Sequence, residues 1–430
     1  MSDPEHQSHP ATTPQEEKDL ESSPPKPPVG PPPFPEGGRE AWIVVVGAFL
    51  AVFVSFGFLN AFGGTFQQYY KVHQLKGESS SSISWIGSFQ TFCIYFMGTL
   101  FGALFDRWGA KPLIFAGGVG FCFSCMMQSI STQYWHFLLS QGLLGGITLS
   151  ALFTPAYTAA QHWFLKRRAF ALGIVTSGSS LGGVIWPIVA NKLIQQVGFG
   201  WALRIMGFIA LAFCLASAAL VKGRLPPRTG KKLLALELFL KPGYTFFCIG
   251  MFFVVLGLFF LIFFLPSYGA LHGFDANMTF YSVSVLNAAS LFGRIIPGFL
   301  ADRWGRFNMM VFTVLVSAIL TLASIKARNE ASILVIGVLY GFTSGNVASL
   351  QGACVPPFID DPSKIGVAVG QLLSVSAFAG LVGPPIAGAL ITSHGFPAAQ
   401  IFAGVMMVFG AVLIAVARQF LSSPGKRWII

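Results

Sequence analysis

The segment GALFDRWGAK at residues 102–111 recurs as GFLADRWGR at residues 298–306, and each copy lies where an apolar stretch runs into charged residues. Aligned on Asp106 and Asp302, which are 196 positions apart (302 − 106), the copies share a glycine and a leucine before the aspartate and Arg-Trp-Gly after it. Repetition at this distance is typical of membrane carriers built from two similar halves. The repeat therefore predicts a duplicated membrane architecture.

The composition around these motifs is that of a membrane protein. Hydrophobic residues make up 54% of the 430 residues and charged residues only 10%, which is more apolar surface than a water-soluble fold can bury. A helix needs about 20 apolar residues to cross the bilayer, and the apolar runs are continuous, which favours helices over a barrel. We therefore predict an all-α membrane protein with twelve transmembrane helices. The predicted spans are residues 42–66, 83–105, 112–130, 134–159, 168–190, 200–221, 244–266, 278–301, 308–326, 332–355, 365–391 and 398–419.

The distribution of basic residues predicts the orientation. With both termini in the cytoplasm, 20 of the 27 Lys and Arg residues fall in inner segments and five in outer loops, as the positive-inside rule requires. The net charge of +11 is thus a topology signal, and nucleic-acid binding is not expected. The sequon Asn277-Met278-Thr279 falls in a loop that this orientation places outside, so Asn277 is a candidate glycosylation site.

The chain divides into five parts. Residues 1–40 hold 11 of the 26 prolines and eight of the 16 acidic residues, so we expect a disordered cytoplasmic tail. Residues 41–221 and 244–420 are the two predicted six-helix bundles. A cytoplasmic loop at 222–243 joins them, and residues 421–430 form a short cytoplasmic tail.

No pattern of enzyme chemistry accompanies the spans. All six cysteines lie inside predicted spans, and Cys122 and Cys125 have no second ligand pair beside them, so packing is the favoured interpretation. The sequence contains no Walker-type phosphate loop and no H-E-x-x-H motif. We therefore expect no enzymatic activity and no cofactor. The expected partners are the lipid bilayer, a small organic anion and, as a candidate coupling ion, a proton.

Arg294 is the most informative single residue, because it lies eight positions before Asp302 and so about 12 Å along the helix from its cytoplasmic end. An arginine at that depth costs about 2.5–3.5 kcal/mol even on the milder scale, so it must face a cavity or a partner. Asn287 and Ser290 share its helix face. A guanidinium there suits bidentate binding of a carboxylate. The alternative is an arginine that snorkels towards carbonyl groups at the inner gate.

The repeated motif is itself a candidate gate. Its glycines allow close helix approach, its aspartates suit the backbone N–H groups at a helix start, and its arginines suit headgroups or carboxylates. We predict a conformational latch that breaks when the inner gate opens; anchoring of single helix ends is the alternative. The predicted latch residues are Gly102, Asp106, Arg107, Gly298, Asp302 and Arg303.

Further polar residues in the spans are weaker cavity candidates, because a Tyr or Asn in a bundle often ties one helix to another. They are Asn60, Tyr157, Tyr268, Tyr340, Ser344 and Gln371. The aromatic run of span seven, which includes Phe263 and Phe264, favours packing or lipid contact, with a wall for an aromatic solute as the alternative.

The paired G-x-x-x-D-R-W-G motifs resemble the signature loops of the major facilitator superfamily. EGGREAW at residues 36–42 and WFLKRRAFALG at 163–173 resemble segments of its monocarboxylate porters, and the fungal branch fits best. The resemblance covers residues 36–420 and implies the major facilitator fold, two six-helix bundles rocking about a central site. It also implies an essential arginine at Arg294. The aspartate and lysine of the proton-coupled lactate carriers are replaced here by Ser290 and Asn60.

The missing aspartate and lysine leave proton coupling without a carboxylate relay inside the spans. The substrate's own carboxylate or a histidine near a helix end, His136 or His162, is the remaining candidate. We predict a secondary active carrier that exports a small organic anion, monocarboxylate-like or a carboxylated secondary metabolite, by alternating access. Uptake of a monocarboxylate or vitamin-like solute is the alternative, and a membrane substrate sensor is the alternative from another class. The expected location is the plasma membrane, with the vacuolar membrane as the alternative.

Overall fold

The computed structural model describes residues 34–224 and 234–421, and all their side chains except those of 80–81 and 276–281. Most of the predicted tail, residues 225–233 of the predicted loop, residues 422–430 and the side chain of Asn277 lie outside this description. Within the described ranges the chain is helical, without strands, and eleven helices are long and apolar enough to cross a membrane.

One of the eleven helices is two spans joined end to end. It runs for 53 residues, from Arg168 to Leu220. At 1.5 Å per residue that is about 80 Å, more than twice the thickness of the hydrocarbon core. The helix breaks at Gly198, whose φ of 76° is a conformation that residues with a Cβ rarely adopt. The prediction of twelve spans is therefore confirmed.

The spans are numbered here in chain order. They are α1 (Arg39–Ala61), α2 (Ser82–Trp108), α3 (Ala110–Ser129), α4 (Tyr134–Gln161), α5 (168–197), α6 (199–220), α7 (Pro242–Leu271), α8 (Ala276–Trp304), α9 (Arg306–Lys326), α10 (Glu330–Phe358), α11 (Pro362–His394) and α12 (Phe396–Gln419). The predicted boundaries mostly differ from these by a few residues. The largest difference is at α5, which is helical seven residues beyond the predicted end.

The first span is extended by an irregular turn. After Ala61 the chain forms a π-helical segment, Phe62–Phe66, and then a further α-helical segment, Gln67–Val72. A π-turn changes the direction in which the following side chains point, and such turns are frequent at functional sites. In the second half, α7 carries Pro266 in its last turns. Both irregularities lie beside the cavity described below.

The two bundles meet along two helix pairs, α5 with α8 and α2 with α11. Small hydroxyl side chains join the second pair: the Thr99 and Ser374 hydroxyl oxygens are 2.6 Å apart, and Ser374 also donates to the carbonyl of Phe96. These pairs bring both copies of the repeated motif to the boundary between the bundles.

Candidate functional site

A cavity of about 880 Å³ lies between the two bundles. Its walls come from residues 59–71 of α1 and its extension, 83–91 of α2, 262–267 of α7, 283–287 of α8 and 384–396 of α11 and α12. These are the ends of the helices that lie away from the repeated motifs, since α1 connects to α2 there whereas the motifs connect α2 to α3 and α8 to α9. The cavity reaches the exposed residues Lys71 and Ser393, so it is open on that side.

The cavity wall is aromatic and carries little charge. Phe62 and Trp85 belong to the first bundle, whereas Phe263 and Phe264 come from α7 of the second. The span-seven aromatic run had two interpretations, packing or lipid contact and a wall for an aromatic solute. The position of Phe263 and Phe264 fits the second. Among the described residues that line the cavity, Lys71 alone carries a formal charge, and none is a carboxylate.

Two of the predicted substrate-binding residues, Asn60 and Asn287, line this cavity. The Asn60 amide donates to the carbonyl of Ser179 at 3.4 Å, and the Asn287 amide donates to the carbonyl of Val283 at 3.1 Å. Both amides keep acceptor oxygens and a second N–H, so the two side chains place polar groups on the cavity wall from opposite bundles.

Arg294 lies two helical turns beyond Asn287, about 10 Å further from the cavity mouth. Its Nη1 donates to the carbonyl of Thr176 on α5 at 3.0 Å, and its Nε donates to the Ser290 hydroxyl at 3.3 Å. Ser290 in turn accepts from the Ser180 hydroxyl at 3.2 Å. None of the described carboxylates forms an ion pair with Arg294. The structure thus places this cation in the boundary between α5 and α8, below the cavity.

Tyr157 on α4 makes further contacts between the bundles, close to those of Arg294. Its hydroxyl donates to the carbonyl of Ser349 at 2.9 Å and accepts from the N–H of Gly352 at 3.1 Å, both on α10. The hydroxyls of Thr176 and Ser349 are 2.7 Å apart. Tyr157 is completely buried, so these cross-bundle contacts separate the cavity from the far end of the molecule.

The remaining polar candidates lie away from the cavity. Tyr340 donates to the carbonyl of Leu258 at 2.6 Å, and Tyr268 donates to that of Ala327, the residue after α9, at 2.8 Å; both bonds lie within the second bundle. Gln371 is buried on α11, and its amide N and O have no hydrogen-bond partner among the described residues. Ser344 is also buried and does not line the cavity.

The two aspartates of the repeated motif make equivalent contacts across the bundle boundary. The Asp302 carboxylate accepts from the N–H groups of Ala169 and Phe170 at 3.0 and 2.9 Å. The Asp106 carboxylate accepts from those of Gly366 and Val367 at 3.2 and 2.9 Å. Each aspartate thus lies at the N-terminal turn of a helix in the opposite bundle, where a helix dipole favours negative charge.

The motif glycines permit this approach. A Cβ on Gly102 would collide with the carbonyl oxygen of Gly366, and a Cβ on Gly298 would lie 2.9 Å from the carbonyl oxygen of Ala169. The motif arginines differ from the glycines and aspartates in position. Arg303 is exposed and stacks over the Phe299 ring at 4.3 Å, and Arg107 is half-buried.

Arg306 and Glu36, which were not among the predicted latch residues, make further contacts beside Asp302. Arg306 forms an ion pair with Asp302 at 3.0 Å and donates across the boundary to the carbonyl of Leu165. The Glu36 carboxylate accepts from the N–H groups of residues 165, 166 and 167 at 2.9, 2.8 and 3.2 Å. Two carboxylates, one from each bundle, therefore lie at the start of α5. The only sequence signal for Glu36 was its place in the EGG motif.

His162 lies in the loop that follows α4, and its environment bears on proton transfer. The ring is buried 5.2 Å from the Phe105 ring. Burial, with Arg168 and Arg224 nearby, lowers the pKa of His162 from 6.5 to about 3. A cation is disfavoured there, so the imidazole stays neutral throughout the range from pH 5 to pH 8.

Replacing His162 by glutamine is therefore expected to leave the pH profile of transport unchanged, because this side chain does not titrate in that range. Initial rates in proteoliposomes between pH 5 and pH 8 test this, with the exposed His136→Gln as the matched variant. A pH dependence that disappears only in His162→Gln would contradict the prediction.

Comparison with known proteins adds independent information. The sequence matches the family model of the Major Facilitator Superfamily over residues 44–359 and 298–428. It is 42% identical to the aspyridones efflux protein of Emericella nidulans over 406 residues, covering 94% of this chain and 82% of that protein. It is 40% identical to the agnestins efflux protein of Paecilomyces divaricatus over 391 residues, covering 90% and 89%.

A solved structure shares the fold. The crystal structure of the human organic anion transporter MFSD10 superimposes with a TM-score of 0.68 at 18% identity, covering 88% of this chain and 100% of that one. At this level of identity the likeness concerns the arrangement of helices.

Proposed function

Because this chain belongs to the Major Facilitator Superfamily, we propose that it is a secondary active carrier that exports an organic anion by alternating access. Its membership makes it a multi-pass membrane transporter, and the efflux role named for its relatives supports export. The single observation that carries the anion proposal is Arg294, a cation in the bundle boundary with no described carboxylate partner.

An arginine in this position needs a partner in the state that opens the boundary. In the structure its Nη1 donates to the Thr176 carbonyl in the opposite bundle, and its Nε donates to the Ser290 hydroxyl on its own helix. When α5 and α8 separate, the bond to Thr176 breaks and the guanidinium loses a cross-bundle acceptor. A substrate carboxylate entering from that side supplies two charge-assisted acceptors in its place. Arg294 thereby binds the anion only when α5 and α8 have separated.

The latch around Asp106 and Asp302 belongs to the same cycle. We propose that the end of the molecule that carries these contacts faces the cytoplasm, in line with the positive-inside rule. Both termini then lie in the cytoplasm and Asn277 lies outside, where it is a site for glycosylation. The structure then corresponds to a carrier closed to the cytoplasm and open to the exterior, which is the release state of an exporter. We place this exporter in the plasma membrane.

The size and wall of the cavity bear on the substrate. Ligand pockets of about 300–1,000 Å³ accommodate drug-sized molecules, and this cavity of about 880 Å³ belongs to the upper part of that range. Together with the aromatic wall, this favours a carboxylated secondary metabolite over a short monocarboxylate, and export over nutrient uptake. Because His162 is neutral and His136 does not line the cavity, we assign any accompanying proton to the substrate's own carboxylate.

Counterflow in proteoliposomes tests the proposal. Vesicles preloaded with 1-naphthoate, 1-naphthalenemethanol or 1-naphthylmethylamine are given external labelled naphthoate, and protein-free vesicles provide the background. We expect preloaded naphthoate to drive labelled uptake at least about tenfold more strongly than either isostere, since only the anion pairs with Arg294. Equal stimulation by the alcohol or the amine would refute an anion carrier. Binding of naphthoate without any counterflow would instead identify a sensor.

A further inference from the structure

We propose that Lys71 and the aromatic wall beside it form an outer subsite, separate from Arg294, that holds the acidic group of an amphiphilic aromatic anion. This inference rests on the proposed function, which it deepens by naming the substrate class and a second binding position. Four features of the cavity carry it: the placement of Lys71, the absence of acids around it, the shape of the wall and the separation from Arg294.

Lys71 reaches the cavity because of the irregular end of α1. It lies on the short helical segment Gln67–Val72, beyond the π-helical turn, and lines the cavity together with Gln67 and Gln68. None of the described carboxylates forms an ion pair with it. Lys76, five residues further along the chain, is exposed but does not line the cavity, so the position of Lys71 is not a general property of this loop.

The charge of Lys71 is not balanced within the described cavity lining, which contains no Asp or Glu. A concave, largely apolar wall concentrates the field of a charge, because field lines avoid the low-dielectric protein. A single lysine therefore makes the cavity mouth positive. This attracts anions and disfavours cations of the same size and shape.

The aromatic side chains define the rest of the ligand. Phe62 and Trp85 line the cavity on the side of Lys71, and Phe263 and Phe264 face them from the other bundle. Aromatic faces stack on flat apolar bodies, whereas a small aliphatic acid would leave most of this surface unpaired. The subsite thus fits a molecule with a flat, apolar body and one acidic group.

Lys71 and Arg294 lie at different depths and in different environments. Arg294 lies among the contacts of Tyr157 and Thr176, about 10 Å along α8 from Asn287, and does not line the cavity, so a ligand in the open cavity meets Lys71 only. An arginine binds a carboxylate through a planar fork, whereas a lysine acts as a strongly hydrated point charge. Looser binding of the acid group by Lys71 suits the side from which an exporter releases its substrate.

Binding to the purified protein in nanodiscs tests the subsite. The probes are 9-anthracenecarboxylate and its neutral isostere 9-anthracenemethanol, and tryptophan quenching reports binding. For Lys71→Gln we expect the Kd of the carboxylate to rise about tenfold with the Kd of the alcohol unchanged, since only the ionic contact is lost. Lys71→Arg should restore the carboxylate Kd to within about threefold, and the matched Lys76→Gln should bind both probes as the wild type does.

The outcomes separate this inference from the proposed function. If Lys71→Gln binds the carboxylate with the wild-type Kd, or loses affinity for carboxylate and alcohol equally, the outer subsite is refuted. Naphthoate counterflow that persists alongside that result leaves the anion carrier standing. If the wild type neither prefers the carboxylate probe nor shows naphthoate counterflow, both proposals fail.

Discussion

Replacing Arg294 by alanine is expected to lower naphthoate counterflow roughly 10- to 150-fold. Charge-assisted hydrogen bonds contribute about 1.5–3 kcal/mol, and each 1.4 kcal/mol corresponds to a factor of ten. The loss should fall on the anion alone, because the alanine variant removes the ionic partner and leaves the cavity wall unchanged. Arg294→Lys keeps the charge but not the planar fork, so it should recover only part of the rate.

A second arginine within the spans provides the matched control. Arg204 on α6 stacks over the Trp201 ring at 4.9 Å and donates to the Ser129 hydroxyl at 3.1 Å, so it is held within its own bundle. Arg204→Ala should retain at least about half of the wild-type rate at equal protein incorporation. Should Arg294→Ala transport naphthoate at the rate of Arg204→Ala, Arg294 does not contact the substrate anion.

Adding one methyl group at Gly102 is expected to stop the transport cycle, with at least a tenfold loss of counterflow. The new Cβ in Gly102→Ala would overlap the carbonyl oxygen of Gly366, which is backbone and has no rotamer to move into. Closely packed helices tolerate such overpacking only by moving apart. The Asp106 contacts to α11 would then lengthen, and the carrier would remain open on the side of the repeated motifs.

Cross-linking across the bundle boundary measures that opening directly. The Thr99 and Ser374 hydroxyls are 2.6 Å apart, so a Thr99→Cys, Ser374→Cys pair should oxidise readily when the gate is closed. Gly102→Ala should sharply reduce the yield of this cross-link. Gly380→Ala on α11 is the control, because its added Cβ would meet Thr91 and Phe259 at ordinary distances of 3.7 and 3.9 Å. An undiminished yield with wild-type counterflow in Gly102→Ala would show that the close approach is not required.

The contacts of Asp106 and Asp302 with helix starts could be predicted from the sequence better than the cavity wall, because these contacts depend on local chemistry. An aspartate one turn after a glycine near a helix end has few hydrogen-bond donors within reach other than the N–H groups of a closely packed helix. The duplication of this arrangement indicated a shared role. The cavity wall depends instead on how far α1 extends. Span one was predicted to end at residue 66, whereas the π-turn carries the helix on to Val72 and places Lys71 inside the mouth.

The partners of Arg306 and Glu36 could not be predicted either, and the reason is the long separation of these contacts along the chain. Arg306 contacts Leu165 across 141 positions, and Glu36 reaches the same loop across 129 to 131. Such pairs depend on the packing of whole helices, which hydrophobic periodicity does not encode. The same holds for Arg294. Its depth in the membrane could be predicted from the helical rise, but its hydrogen bond to Thr176 could not, because that bond depends on how the two bundles pack together.

The double attachment at the start of α5 has a consequence for the energetics of the conformational change. Glu36 and Asp302 together accept five N–H groups there, three on the first carboxylate and two on the second. When the side that carries the repeated motifs opens, we expect Asp302 to move away with the second bundle and Glu36 to stay with the first. Three of the five amides then keep their acceptor, and water hydrates the other two together with the Leu165 carbonyl that Arg306 releases. We therefore expect Glu36 to lower the activation barrier for separating the two bundles at this helix end.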